Sequence, residues 1–405
     1  KLMKKSSKIL YHLVFFTTLS IVVFSLFAII FPSFLMTTFY PYTTNLQPFE
    51  SSIWLVPIIS SNSILLVIGF AYYRKKLPLQ IYKGIEFILN FEISKKTALL
   101  TGIIILVVYI GFSLPELAID EATQYDDWGV LESALEVWPS TDSDDIYINE
   151  QNTRYVRMLL LDASSDLFQN IKLLPFVASI LLVVVTFFLT YQITQKRFAG
   201  IISMVILLQS HTFLHFDTIA VYENFWVLFY VVSLYAINKK WQYSSISYLL
   251  SIFSKAFIAV FFLSSLYYIC RANISTRKKL YTLASYATSL IVILLVFSFG
   301  ESIYFDIINI SSSEFFLAFN ALGYTLRYDL IIVLSLLPLT LGLFFKFRKD
   351  NSKKVDSILV LILTALLAGP VISMLTDFYF ILPYRFLPLI VFVAVGIGVL
   401  LSKKN

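Results

Sequence analysis

Apolar residues in this chain come in long unbroken runs punctuated by short charged stretches. The two-residue alternation of half-buried strands is missing, and so is the one-faced stripe of soluble helices. Runs of this kind predict membrane spans, because about 20 residues of helix cross the hydrocarbon core. They fall near residues 9–31, 53–72, 98–114, 173–193, 198–213, 218–237, 280–299, 329–345, 357–375 and 386–402. A further apolar stretch, 244–270, is interrupted at its middle by Lys255 and predicts a bent hairpin of two short helices. With that hairpin the expected crossings number about twelve, and the fold class is an all-α polytopic membrane protein.

Two segments depart from this rhythm. Between residues 74 and 97, Ile81, Ile85, Ile88 and Leu89 recur at helical spacing beside Lys83 and Glu86. The pattern predicts an amphipathic helix lying on a membrane surface. The longest polar segment, 115–172, holds 13 of the 25 acidic residues. Its periodic stretches, Ala118–Val137 and Arg154–Phe168, predict short interfacial helices joined by a polar turn at Pro139–Asp145. Residues 1–97 thus form two N-terminal transmembrane helices with a surface segment, and 98–405 a second transmembrane module carrying the acidic loop.

Composition removes whole classes of function. Of 405 residues 58% are hydrophobic and only 14% are charged, against about 25% charged in soluble globular proteins. Cys270 is the single cysteine and excludes an intrachain disulfide, while three histidines are too few for a zinc ribbon or haem site.

Charge placement gives the topology. With the N-terminus in the cytoplasm, 25 of the 31 basic residues fall on the inner side, and 21 of the 25 acidic ones on the outer. The positive-inside rule then orients the chain with both termini cytoplasmic and the acidic loop outside. The basic pI of 9.0 reflects anchoring to anionic inner-leaflet lipid rather than nucleic-acid binding. The apolar run from Ile9 to Pro32 has no small-residue cleavage site and is expected to remain as the first helix. A sequon, Asn309-Ile-Ser, falls on the expected outer side.

Candidate chemistry concentrates where the third span leaves the membrane. There Asp120 and Glu121 are adjacent, with Asp126 and Asp127 close behind. A carboxylate at a partly dehydrated interface has a raised pKa and can act as general base toward a hydroxyl, although most loop acids simply solvate their loop. Outer-side cations are few. Arg154, Arg157 and Lys172 follow the acidic loop, Arg327 precedes a span, and Arg385 opens the last one. Arginine forks match phosphate oxygens, so these residues are candidates for a lipid phosphate as well as for loop acids. Lys255 lies in an apolar run, where an ammonium needs a polar cavity or the interface. His211 and His215 share a helix face near Asp217 and Glu223, a weak pattern for a divalent metal.

Several patches, taken in order, resemble the GT-C membrane glycosyltransferases, the group of protein O-mannosyltransferases and aminoarabinose or other lipid-sugar transferases. Ile119-Asp120-Glu121-Ala-Thr-Gln-Tyr resembles their Asp-Glu-Ala-x-x-Tyr signature, and Lys172-Leu-Leu-Pro175 their Arg-Leu-Pro-Ser helix. Thr218-Ile-Ala-Val-Tyr-Glu223 is similar to the next helix, Ser254-Lys255-Ala to a Thr-Lys-Gly element, and Pro383-Tyr-Arg385-Phe-Leu-Pro388 to the start of the last helix. The resemblance covers about Gly111 to Leu401. It lacks the His-Pro-Pro element that often follows the first outer loop, and two extra helices precede it.

This resemblance implies transfer of a sugar from a polyprenyl-phosphate donor to a protein or lipid acceptor at the outer face of the plasma membrane. Asp120, with Glu121 as the competing choice, would be the catalytic base. Arg154, Arg157, Lys172, Lys255 and Arg385 would contact the donor phosphate. The resemblance makes no cofactor certain, and a divalent metal at His211 and His215 stays a minor option. Two other classes fit the acidic loop: a transporter or flippase of an amphiphilic lipid, and a non-enzymatic membrane subunit that docks a partner.

Overall fold

The structure, a computed structural model, describes residues 2–39, 47–123, 125–139, 146–299, 310–350, 353–376 and 382–402. The expected turn after Pro139 and Asn309 of the sequon lie outside the described residues. Within them the chain is all-helical. In order along the chain it forms α1 (Leu2–Ile30), α2 (Pro32–Phe39), α3 (Leu55–Tyr73), α4 (Leu79–Asn90), α5 (Lys95–Ser113), α6 (Trp128–Val137) and α7 (Ile146–Asn152). There follow α8 (Tyr155–Phe168), α9 (Leu173–Thr194), α10 (Arg197–Leu207), α11 (His211–His215), α12 (Phe225–Lys239), α13 (Ser244–Ser254) and α14 (Phe262–Arg271). The last are α15 (Thr276–Phe299), α16 (Ser312–Leu326), α17 (Leu330–Asp350), α18 (Lys353–Thr376) and α19 (Leu387–Leu400).

Eight helical segments among the described residues are long and apolar enough to cross a membrane: Ile9–Ile30, Leu55–Tyr73, Lys95–Ala118, Leu173–Thr194, Thr276–Val296, Leu330–Arg348, Lys354–Thr376 and Pro383–Leu400. The protein is therefore a helical membrane-embedded protein. On α5, Leu99, Leu100, Ile103, Ile104, Val107, Val108 and Phe112 are all exposed. A helix apolar on all sides and barely covered by protein is stable only against hydrocarbon.

Two runs read as spans from the sequence are shorter, and the 244–270 run is broken at Lys255 into two short helices, as expected. The 198–213 run becomes α10, which ends at Leu207. The 218–237 run becomes helical only at Phe225, where α12 begins. Lys255, in extended backbone, ends α13 before a 3-10 turn and α14. In the 218–237 run the N–H groups of Ala220 and Val221 go to the Glu121 carboxylate, which a continuous helix would not allow.

The chain divides into two compact units. In the unit of residues 1–98, 190–212 and 309–405, α19 is innermost, buried without interruption from Leu387 to Gly396, and it packs against α10, α17 and α18. Tyr11 of α1 donates its hydroxyl to the carbonyl of Phe344 at 2.6 Å and stacks on Phe344 and Phe347. Helix α4 buries none of its residues and exposes Ile81 and Ile88. Lys196 and Arg197 tie its C-terminal end by bonds to the Leu89 carbonyl and the Glu92 carboxylate.

In the unit of residues 99–189 and 213–308, α12 and α13 form the closest helix pair. Trp226, Tyr230 and Tyr248 fill its interior. Buried hydroxyls find partners there, Ser251 donating to the Trp226 carbonyl at 2.5 Å and Ser244 lying 2.9 Å from the Tyr286 hydroxyl. Interhelical hydroxyl bonds of this sort serve where apolar burial no longer distinguishes protein from lipid.

One close approach tests the first unit. At Gly398 an added Cβ would lie 2.7 Å from the Ala199 carbonyl oxygen and 2.8 Å from Thr190 Cγ2. Gly398→Ala is expected to lower stability in detergent by about 1–3 kcal/mol through overpacking. Gly69→Ala, where nothing lies within 4 Å, is expected to have no such effect. Thermal unfolding of the two variants side by side checks this.

Candidate functional site

The second unit gathers nearly all its buried charge around residues 216–224, which run as loop between α11 and α12. The loop is closed across its base. The Ser179 hydroxyl of α9 donates to the Asp217 carbonyl at 2.7 Å, and Asn224 Nδ2 donates to Ser179 Oγ at 2.9 Å and to the Phe216 carbonyl at 3.3 Å. A buried loop must satisfy its backbone without a helix ladder. Here charged side chains from elsewhere in the unit do so.

Glu121, 2% exposed, accepts the backbone N–H groups of Ala220 at 2.5 Å and Val221 at 3.0 Å, one on each oxygen. Lys172 Nζ lies 4.0 Å from the same carboxylate and donates to the carbonyls of Glu116 at 2.8 Å and Ile119 at 2.9 Å. A tight corner after α8 sets Lys172. Gln169 turns left-handed (φ 53°), the Ser164 hydroxyl donates to the Asn170 carbonyl, and Asn170 Oδ1 accepts the Lys172 N–H. Burial pushes the Glu121 carboxyl up and the Lys172 ammonium down. Each charge, with the two N–H groups on Glu121, opposes the other's shift.

Asp217 has no solvent exposure, and its Oδ2 accepts the Ser113 hydroxyl at 2.7 Å. Burial raises it to about 7 against the hydrogen bonds that favour its charged form. Glu116 Oε2 accepts the Thr218 hydroxyl at 3.2 Å. Four carboxylates, Glu121, Glu116, Asp120 and Asp217, therefore act on the one ammonium of Lys172.

The other side of the loop is cationic. Arg157, 2% exposed, donates Nη2 to the Val221 carbonyl at 2.8 Å and pairs through Nε with Glu223 at 3.3 Å. Val221 thus gives its N–H to the Glu121 carboxylate and its carbonyl to Arg157. Gln151 Oε1 accepts from both Arg154 and Arg157, and Arg154 also pairs with Glu150. Lys255 sits with its ammonium 5.6 Å from the Trp226 ring centre. Burial raises the Glu223 carboxyl to about 7, against the positive charges of Arg157, Lys255 and Arg154, which lower it.

The residues singled out in the sequence therefore separate. Asp120 and Glu121, adjacent in the chain, point apart. Asp120 is exposed and holds only the local turn, its Oδ1 accepting the Ala122 N–H at 3.0 Å and its carbonyl the Thr123 hydroxyl at 2.9 Å. Arg154, Arg157, Lys172 and Lys255 belong to this one unit, as do both carboxylates. Arg385 belongs to the other, where it lies against the Tyr384 ring. His211 stacks on Tyr328 and His215 on Phe216 edge to face. No group of three or more His, Cys, Asp or Glu side chains able to hold a metal exists among the described residues. The sequence passed over Glu116 and the backbone of Ala220 and Val221, and gave Asp217 and Glu223 no role beyond the histidine turn. The available signal was that two acids bracket the apolar stretch 218–222 at the mouth of a span.

No protein-family model, curated protein or solved structure matches this chain.

The buried pair predicts a double-mutant result. Lys172→Met leaves Glu121 buried without its ammonium and is expected to cost about 3–5 kcal/mol. Adding Glu121→Gln should restore part of that, a coupling readable by thermal unfolding. Asp217 predicts a pH effect. Its folded pKa of about 7 lies above its ordinary value of 3.8, so its stabilising contribution is complete below about pH 3.8, falls as pH rises, and is gone above about 7. Asp217→Asn should flatten that part of the stability profile relative to the parent protein.

Proposed function

We propose that this protein is a GT-C-type glycosyltransferase that moves a sugar from a polyprenyl-phosphate donor to a protein or lipid acceptor at the outer face of the plasma membrane. The observation that carries this reading is the cationic side of the 216–224 loop, where Arg157 is buried against the Glu223 carboxylate and the Val221 carbonyl and shares Gln151 with Arg154, beside a turn that presents Asp120 to solvent. Cations held in a dry setting by fixed hydrogen bonds suit a developing phosphate charge, because they need no reorganisation when that charge appears. The short helices α10, α12, α13 and α14 supply the crossings beyond the eight long ones and bring the total to about twelve. The basic segments lie inside and the loop containing α6, α7 and α8 outside.

Chemically, Asp120 takes the proton of an acceptor hydroxyl. The hydroxyl oxygen attacks the anomeric carbon as the bond from that carbon to the phosphate oxygen breaks. The electron pair leaves with the polyprenyl phosphate, whose charge is met by Arg154, Arg157 and Lys255. Glu121, with both oxygens engaged, holds the loop rather than accepting the proton. This favours Asp120 of the two candidate bases.

The test is donor cleavage by purified protein in lipid, across a panel of polyprenyl-phosphate sugars. Asp120→Asn is expected to reduce cleavage by about 10²–10⁴-fold while leaving thermal unfolding unchanged. Full activity in Asp120→Asn would remove Asp120 as the base. Lipid binding without cleavage of any donor would point instead to a transporter of amphiphilic lipid.

A further inference from the structure

In the first unit, α16 crosses the end of α1 so closely that a Cβ on Gly323 would lie 3.2 Å from the backbone of Ala28 and Ile29. Beside that crossing a groove of about 420 Å³ opens between α1, α2 and α16. Its walls are mainly apolar, with Ala28, Pro32, Met36, Leu317 and Ala321 among them. Its volume lies within the range of small-molecule sites, about 300–1,000 Å³.

Two polar groups interrupt this lining. Asn320, Tyr324 and Arg327 stand at i, i+4 and i+7 along α16 and its end, and so share one face. The Asn320 amide is buried at both Oδ1 and Nδ2, and neither atom has a hydrogen-bond partner among the described residues. A buried amide without a partner is costly enough to call for one. The Arg327 guanidinium lies 3.7 Å from the Tyr324 ring centre and 5.6 Å from that of Tyr328, and it makes no ion pair among the described residues. The nearest acid in the chain, Asp329, instead accepts the Thr212 hydroxyl.

The depth of the groove fits a lipid. The apolar span of α1 ends at Ile30 and that of α17 begins at Leu330, so Arg327 stands where hydrocarbon gives way to headgroups. Leu317, three turns back along α16, faces the same groove. A cation at headgroup level, an amide two turns back along the same helix face and an apolar wall beyond it follow the order of phosphate, ester and acyl chain in a glycerophospholipid.

We infer that this groove is a binding site for one anionic phospholipid. Arg327 holds the phosphate, the Asn320 amide pairs with an ester carbonyl, and an acyl chain lies along Leu317, Ala321 and Met36. Anionic lipid is favoured over zwitterionic because, among the described residues, no carboxylate lines the groove to meet a headgroup ammonium. The site is independent of the proposed transferase chemistry, which belongs to the other unit.

The experiment is native mass spectrometry of the full chain after extraction from vesicles of equal phosphatidylglycerol and phosphatidylcholine. The parent protein is expected to retain one phosphatidylglycerol in preference to phosphatidylcholine. Arg327→Gln is expected to weaken that retention about fivefold, and Arg327→Lys to keep most of it. Ala321→Trp should strip the lipid by filling the groove, with the charge untouched. Thermal unfolding in lipid-free detergent shows whether each variant is folded. Equal retention of the two lipids by the parent protein, or unchanged phosphatidylglycerol retention in folded Arg327→Gln, would overturn the proposal.

Discussion

A carboxylate and an ammonium buried at a membrane boundary each carry a desolvation cost of several kcal/mol, and that cost is met only when every lone pair and proton has a partner. Glu121 and Lys172 satisfy the condition by sharing it with the backbone. Glu121 accepts two loop N–H groups, and Lys172 donates to two carbonyls of the 116–119 turn. The pair thereby fixes the exit of α5, the start of α9 and the 216–224 loop together. Without it the loop would hold buried N–H groups with nothing to accept them.

The cationic node depends on the same loop. Arg157 reaches the Val221 carbonyl whose own N–H is held by Glu121. A shift of that peptide unit therefore moves the guanidinium as well. Gln151 adds a common acceptor for Arg154 and Arg157, so a neutral group holds the two arginines side by side while Glu150 and Glu223 each pair with one of them. Rigid placement of like charges is destabilising in isolation and useful toward an anion. The acidic node about Lys172 and the basic node about Glu223 differ in sign and are joined through one short backbone segment.

How much of this was legible depended on the range of the interaction. Long apolar runs gave α1, α3, α5, α9, α15, α17, α18 and α19, because hydrocarbon solvates any sufficiently long apolar helix whatever its neighbours. Helix α4 and the loop helices α6 and α8 followed from local periodicity. The extended residue at Lys255 was signalled by a charge in an apolar run. The start of α12 was misplaced by seven residues, since Thr218–Tyr222 is as apolar as the helix after it. Only the N–H groups taken by Glu121 explain why that stretch is not helical.

The sequence by itself determined that this is a helical membrane protein, which residues punctuate its spans, and where charged residues cluster between them. Those follow from composition and short-range periodicity. The tertiary structure decided the roles. It turned Glu121 inward to a backbone loop and left Asp120 exposed, paired Arg157 with Glu223, and kept Arg385 in the other unit. It also left the Asn320 amide facing an apolar groove. The inward turn of Glu121 and the pairing of Arg157 depend on contacts between residues tens to about a hundred positions apart, and no local pattern of apolar and polar residues encodes which distant partner a buried charge will find.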